Sequence, residues 1–248
     1  MARLINFYDT KYWKSNLSSK GKLRIREIES IKLLKKILKD DVKILDAGCG
    51  DGNFLLNLKK KNSGINVTGV DFSREAVLIA KKRGISAVQG DLNGKIPFKN
   101  SEFDVVYSGE VIEHLYNPDF FLKEIRRILK NKGYLLITTP NLGFWFNRLI
   151  FLLGIQPTFM ESSTEDPLVG SRFLKKFRKL DNPIGHIRVL TYDALKDLLE
   201  ANGFSIVISK GVVFEDGFPK WLLPFDKILT FNPRLSAQLV ILAKKEKD

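Results

Sequence analysis

The chain of 248 residues has one cysteine, two histidines and two methionines, and only 28 acidic residues against 41 basic ones. A single cysteine, Cys49, excludes an internal disulfide and suits a reducing, cytoplasmic setting. With so few imidazoles and thiols, no transition-metal cluster is expected. The opening Met1-Ala2-Arg3-Leu4-Ile5-Asn6 lacks the long apolar stretch of a secretory signal. No apolar run reaches the roughly 18 residues that a membrane-spanning helix needs. No internal repeat or low-complexity tract is visible. The scarcity of Cys, Met and His beside abundant Lys would also suit a heat-adapted source.

The shortage of acids leaves a net charge of +13, which favours anionic partners: nucleic acid, acidic lipid headgroups or a phosphorylated substrate. The charge concentrates at Lys20–Lys39 and at Arg172–Lys179. What is plentiful is apolar: 44% of residues are hydrophobic and 11% aromatic, enough for one large α/β domain with insertions. Leu23, Ile28, Ile31, Leu34, Ile37 and Leu38 recur at helical spacing and predict an amphipathic helix over 20–40. Short apolar runs then alternate with helical patterns. Strands are expected at Val42–Ala47, Asn66–Val70, Ile85–Val88, Phe103–Tyr107 and Tyr134–Thr138, and helices over 52–61, 73–83 and 118–130. Such alternation implies βαβ units and a parallel sheet with right-handed crossovers. The rhythm breaks after Pro140-Asn141. It resumes where Thr191 caps a helix through Ala201 and Asn202-Gly203 closes it, before strands at Phe204–Ser209 and Gln238–Ala243. A second aromatic insertion spans Val213 to Pro233.

The boundaries are therefore an N-terminal helical segment (1–41), a ligand-binding core (42–141), an inserted lid or substrate segment (142–190) and a C-terminal completion of the sheet (191–248). The run Ile44–Gly52 carries the chemistry. It is a buried strand ending in a turn with glycines at positions 48, 50 and 52, which lets the backbone approach a ligand closely. The helix that follows offers unpaired N–H groups to a negative group such as a carboxylate or phosphate. Asp71 ends the second strand, where an acid can accept from a ribose diol. Asp91 follows the third strand, placed to receive an adenine amino group while Leu92 and Phe72 flank the ring. Ligands of open α/β sheets bind outside the carboxyl ends of the strands, and Asp46, Gly48, Asp71, Asp91 and Ser108-Gly109-Glu110 all fall on that rim.

These residues resemble the motifs of class I S-adenosylmethionine-dependent methyltransferases, in the group that includes the ubiquinone and menaquinone biosynthesis methyltransferases. Ile44–Gly52 matches the first motif, Val70-Asp71-Phe72-Ser73 the ribose-binding acid and Gly90-Asp91-Leu92 the adenine site. Phe103–Val106 matches the fourth strand, Ser108–Leu115 the segment after it and Gly133–Thr139 the fifth strand. Gly185-His186-Ile187-Arg188 with Thr191–Phe204 resembles a recurrent feature of the small-molecule branch. The matched stretches lie between about residues 42 and 210.

The resemblance implies a doubly wound Rossmann-like sheet of seven strands, mostly parallel with the last antiparallel, and an inserted lid. It implies S-adenosylmethionine as cofactor and S-adenosylhomocysteine as product. Asp46 and the Gly48, Cys49 and Gly50 backbone would hold the methionine moiety, Asp71 the ribose, and Phe72, Asp91 and Leu92 the adenine. Ser108, Gly109 and Glu110 would sit near the transferring methyl. Candidate general bases are His114, Glu110 and His186. Cys49 is read as a small packing residue inside the turn.

For the acceptor, Tyr107-Ser108-Gly109-Glu110 lacks the Asn/Asp-Pro-Pro-aromatic signature of amino-group methylation on bases. No Pro-Cys pair is present either, so nucleic acid is the weaker reading. Phe144 to Leu153 is apolar, too short to span a bilayer and flanked by basic residues. That pattern fits a lid over a hydrophobic or lipid-linked acceptor, methylated on oxygen, or an interfacial helix on anionic lipid, and equally a helix that completes the core or a dimer interface. The alternatives are a nicotinamide-dependent oxidoreductase, whose glycines would be spaced G-x-G-x-x-G, and a non-catalytic nucleotide- or nucleic-acid-binding protein.

Overall fold

The computed structural model describes residues 21–62, 64–176, 183–214 and 218–247. Its centre is a seven-stranded sheet: β1 (Lys43–Ala47), β2 (Asn66–Asp71), β3 (Ser86–Gln89), β4 (Phe103–Gly109), β5 (Leu129–Pro140), β6 (Phe204–Val212) and β7 (Gln238–Lys245). The order is β3-β2-β1-β4-β5-β7-β6. Strands β1 to β5 pair in parallel, while β7 runs antiparallel to both β5 and β6. Strand order reverses at β1, between β2 and β4, so the carboxyl ends of β1 and β4 flank the crevice in which such sheets bind ligands.

Seven α-helices appear among the described residues: α1 (Ile25–Leu34), α2 (Asn53–Lys61), α3 (Arg74–Lys82), α4 (Pro118–Ile128), α5 (Trp145–Leu152), α6 (Tyr192–Ala201) and α7 (Leu223–Leu229). Both faces of the sheet are covered. Leu45, Val106, Phe121, Ile125, Ile137, Leu199 and Ile241 build one core layer. Ile31, Leu34, Ile44, Leu55, Leu58, Leu136 and Leu242 build the other.

Helix α1 is shorter than the 20–40 pattern suggests. The Glu27 side chain accepts the Arg24 N–H at its start, and after Leu34 the bonds tighten to Lys36 N–Leu33 O and Ile37 N–Leu34 O. Lys20, at the edge of the expected helix, lies outside the described residues. Strand β5 begins at Leu129 rather than Tyr134, because Leu129 already pairs with Phe103 and helix α4 therefore stops at Ile128. Asn117 caps α4 through the Phe120 N–H, Ser73 caps α3, and Thr191 caps α6 as its sequence signals.

The two aromatic insertions form one body. Pro140 pairs with Gln238 and so does Val212, so segments 141–190 and 213–237 leave and enter the sheet at the same rim as the β1 and β4 ends. Phe144, Trp145, Phe159, Phe214 and Phe218 bury each other there. Asp226 ties the two insertions together, accepting from Trp145 Nε1 at 2.9 Å and from Phe214 N at 3.0 Å. No helix among the described residues is long and apolar enough to cross a membrane.

Candidate active site

The glycine turn after β1 is closed inward. Gly48 N and Cys49 N both donate to Val70 O, at 2.8 and 3.0 Å, and Gly50 N donates to Asp71 Oδ2 at 2.9 Å. Gly48 has φ +91°, and a Cβ there would collide with Val111 Cγ2, so only glycine fits. The N-terminus of α2 is likewise engaged: Asp51 Oδ1 accepts the Asn53 N–H at 3.1 Å, and Asp51 pairs with Arg83 at 2.7 Å. Of the amides expected to face a carboxylate or phosphate, those of Gly48, Cys49, Gly50 and Asn53 are turned to partners within the protein, where they hold β2 and the turn's own acids.

Asp46 is 2% exposed, and its Oδ1 has no hydrogen-bond partner among the described residues. Burial, followed by the Asp71 and Glu27 carboxylates, pushes its carboxyl well above the usual range. A buried carboxylate oxygen without a donor is costly unless a ligand supplies one, and an ammonium would do so. Asp71 Oδ1 also accepts from Ser73 N at 2.9 Å, so this acid locks the turn as well as facing the cleft.

Along the rim, Leu92 is buried close to Gly48, Phe72 is half-buried and Asp91 is exposed. Asp91 Oδ1 accepts from Asn93 N at 2.9 Å, and Asn93 Oδ1 takes the Tyr116 N–H at 2.8 Å, fixing that loop. Ser108 is wholly buried and its Oγ also has no partner among the described residues. Gly109 is required by the Tyr107 ring, which a Cβ there would strike. The Cys49 side chain packs in the core against Gly69, and burial pushes its thiol far up, so it brings only backbone to the site.

The chain leaves β4 through Glu110, which has φ +57°. Its Oε1 accepts from Thr138 Oγ1 at 3.0 Å and lies 3.6 Å from Arg26 Nε, while Oε2 accepts from Gln238 Nε2 at 3.3 Å. Helix α1 thus closes this side of the cleft. One short turn later the two histidines meet: the rings of His114 and His186 lie 4.9 Å apart. His114 Nδ1 bonds Gly185 O at 3.0 Å and His186 Nδ1 bonds Phe159 O at 2.8 Å. A carbonyl can only accept, so both Nδ1 atoms carry the proton and both Nε2 atoms are left as acceptors in the neutral rings. Burial, then the adjacent His186, pushes His114 down to about 4.

Between them stands Glu113, fully buried, with Oε2 accepting from Thr139 Oγ1 at 2.9 Å and Oε1 without a partner. Burial and the nearby Glu110 push its carboxyl well up. Donor atoms of Glu113, His114 and His186 lie within 4.8 Å of one another. A count of histidines and cysteines gave no reason to expect such a grouping, because the carboxylate comes from the fold. This is the grouping among the described residues that has the donor set for sharing a proton or holding a cation.

Sequence reasoning missed Arg26, Glu113, Thr138, Gln238 and Glu161. Glu113 carried a signal, an acid three residues after Glu110 on a short apolar segment. The others did not. Of the basic stretch at 172–179, residues 177–179 lie outside the described residues.

The unpartnered Asp46 oxygen gives a pH prediction. An acid whose carboxyl is raised in the fold stays protonated to higher pH, and a cationic ligand requires the carboxylate. Affinity for S-adenosylmethionine should therefore tighten as pH rises towards the Asp46 value, and binding below it should release a proton. Calorimetry in buffers of different ionisation enthalpy measures the proton count. In Asp46→Asn the pH dependence should vanish with most of the affinity.

A seven-stranded sheet with a reversed last strand and an acid-lined glycine turn at its switch point define an α/β protein with a ligand crevice of the doubly wound kind. The methyltransferase domain family matches residues 21–209 of the chain. The ubiquinone biosynthesis O-methyltransferase of Pelagibacter ubique is 34% identical over 140 residues, covering 53% of this chain and 52% of that protein. The mitochondrial ubiquinone biosynthesis O-methyltransferase of Rattus norvegicus is 30% identical over 193 residues, covering 73% of this chain and 50% of its own length. The chain thus spans about half the length of these relatives. A SAM-dependent methyltransferase of Thermotoga maritima has the same fold, with a TM-score of 0.61 at 20% identity, covering 99% of this chain and 100% of that one. The chain belongs to the class I S-adenosylmethionine-dependent methyltransferases. The oxidoreductase alternative falls with that finding.

Proposed function

We propose that the protein methylates an oxygen of a small hydrophobic or lipid-linked acceptor. The observation that carries this reading is the His114–His186 pair, both Nε2 atoms left as acceptors, beside the aromatic body formed by Phe144, Trp145, Phe159 and Phe214. Methyl transfer to a hydroxyl must shed a proton, and a neutral His114 imidazole next to an apolar wall suits that need. The names of the Pelagibacter and Rattus relatives, both ubiquinone biosynthesis O-methyltransferases, support the same chemistry.

When bound, S-adenosylmethionine supplies a sulfonium-activated methyl group. Asp46 Oδ1 would hold the ammonium, the side-chain-free Gly48–Gly50 stretch would let the methionine moiety lie close to the backbone, Asp71 would hold the ribose hydroxyls, and Phe72, Asp91 and Leu92 the adenine. Glu110, fixed by Arg26, Thr138 and Gln238, would border the reacting centre with Ser108 and Gly109. His114 would take the acceptor's hydroxyl proton, with His186 and Glu113 as the groups able to share it. The methyl would go to the acceptor oxygen with S-adenosylhomocysteine as the leaving product, and alignment with exclusion of water by these residues would supply most of the acceleration. Segment 142–190 would serve as the lid. Incubating the protein with methyl-labelled S-adenosylmethionine and a fractionated extract tests the acceptor class. Label in the organic phase, lost on ether-cleaving treatment, is expected. Label confined to nucleic acid or to water-soluble amines would overturn the reading.

The membrane element moves within the insertion. Phe144 and Trp145 are buried, so they hold the lid together instead of meeting lipid. Among the apolar groups left outside, Leu149, Phe151, Leu152 and Leu153 cluster on and after α5, with Leu152 82% exposed. On a chain of net charge +13, these are the side chains that would reach into an anionic bilayer. Co-sedimentation with anionic vesicles should fall several-fold in Leu152→Glu/Leu153→Glu and persist in a Trp145→Phe variant. Equal binding by wild type and the double variant would remove the membrane element.

A further inference from the structure

Glu161 lies in the insertion, outside every motif of the glycine turn and the rim, yet its carboxylate is placed against the histidine loop. Its Oε1 accepts from Ile184 N at 2.6 Å, and its Oε2 accepts from Gly185 N at 2.6 Å and His186 N at 3.2 Å. Three successive backbone N–H groups converging on one carboxylate form an anion nest, which fixes the backbone that makes it. The far end of the same loop is fastened to the base segment, with Ile187 N and Arg188 N both donating to Glu113 O, at 2.8 and 3.0 Å.

That short loop supplies both sides of the histidine pair. It carries His186, and its Gly185 carbonyl is the acceptor that holds His114 Nδ1. The carbonyl that holds His186 comes from Phe159, two residues before Glu161. Phe159 has φ +75°, a conformation unfavourable for a bulky aromatic, and it is buried with its ring edge on Phe214 at 5.2 Å. Strain at Phe159 persists because Glu161 on one side and the aromatic body on the other hold it in place.

We infer that Glu161 is a positioning residue: by gathering the N–H groups of 184–186 it presents the Gly185 and Phe159 carbonyls to the two imidazoles and so fixes both as Nδ1–H tautomers with Nε2 facing the reacting side. This rests on the methyl-transfer reading only for its kinetic consequence. It has a consequence for the lid as well, since displacement of segment 159–161 would release both rings together. The base would then be assembled only when the insertion is seated.

The chain has only two histidines, so long-range ¹H–¹⁵N spectra report each ring without crowding. The wild type should show the Nδ1–H tautomer at both. In Glu161→Ala the His114 and His186 signals should move to the Nε2–H form that free imidazoles favour, while kcat falls about 100-fold and KM for S-adenosylmethionine stays within about twofold. Glu161→Gln, which retains an acceptor oxygen, should restore a substantial part of both. A folded Glu161→Ala with both tautomers unchanged would overturn the assignment. Should that variant not fold, Glu161→Asp, whose shorter side chain cannot span the three N–H groups, decides in the same way: movement towards the Nε2–H form supports the role, and wild-type tautomers refute it. If no acceptor is ever methylated, the proposed function fails while the spectra still judge Glu161.

Discussion

Replacing Asp71 by alanine should abolish useful binding of S-adenosylmethionine, raising Kd by roughly 10²–10⁴-fold. In the proposed function the carboxylate would accept from a ribose diol, and two hydrogen bonds to a charged acceptor are worth about 1.5–3 kcal/mol each. The same oxygens already accept from Gly50 N and Ser73 N, so the alanine variant also loosens the turn between β1 and α2. A drop in melting temperature should accompany the loss. Asp71→Asn keeps one acceptor and should fall between. Asp91→Ala is the control: this side chain is exposed and its partner is the local loop, so its effect should be about tenfold at most and its melting temperature nearly unchanged. Equal effects of the two substitutions would mean that the ribose does not sit at β2.

The second large effect is expected at His114, where alanine should lower kcat by about 10²–10⁴-fold with KM for the methyl donor little changed. With its pKa down at about 4, His114 is neutral at every physiological pH. The acid limb of the kcat profile should therefore lie near 4 instead of near the ordinary imidazole value, with a flat rate above it. A base that weak gains from neighbours that can share the proton, here the His186 ring at 4.9 Å and the unpartnered Glu113 Oε1. Stability should follow the same group. Between about 4 and 6.5 the unfolded chain binds the proton more readily than the fold does, so stability falls as pH drops through that window. A His114→Ala protein at full rate would move the base to Glu110 or His186.

The fold was legible because its signals are local. Apolar runs of four to six residues, each followed within two residues by glycine or an acid, mark β1 to β4, and Thr191 announces its helix. The places of Asp46, Asp71 and Asp91 at or just after strand ends were legible for the same reason, since periodicity had already placed the strands. What the glycine turn does with its amides was not legible. Three N–H groups turn inward to Val70 O and Asp71 Oδ2, and whether an amide faces a ligand or a neighbouring strand depends on pairing 20 residues away. The acceptor side was poorly legible too. His114 and His186 are 72 residues apart in the chain, Glu161 acts through backbone donors, and the aromatic body joins two insertions that read as separate. Phe144 and Trp145 looked like a lipid-facing stripe, yet Phe214, Phe218 and Asp226 cover them from the second insertion.

The central claim is that an acid-lined glycine turn, its amides engaged, selects the cationic methyl donor over a pyrophosphate-bearing nucleotide. Titration calorimetry of the same preparation with S-adenosylmethionine, S-adenosylhomocysteine and NAD tests it directly. Binding of the first two, with the affinity abolished in Asp46→Asn, and no heat from NAD is the predicted result. Tight NAD binding with no response to S-adenosylmethionine would contradict it.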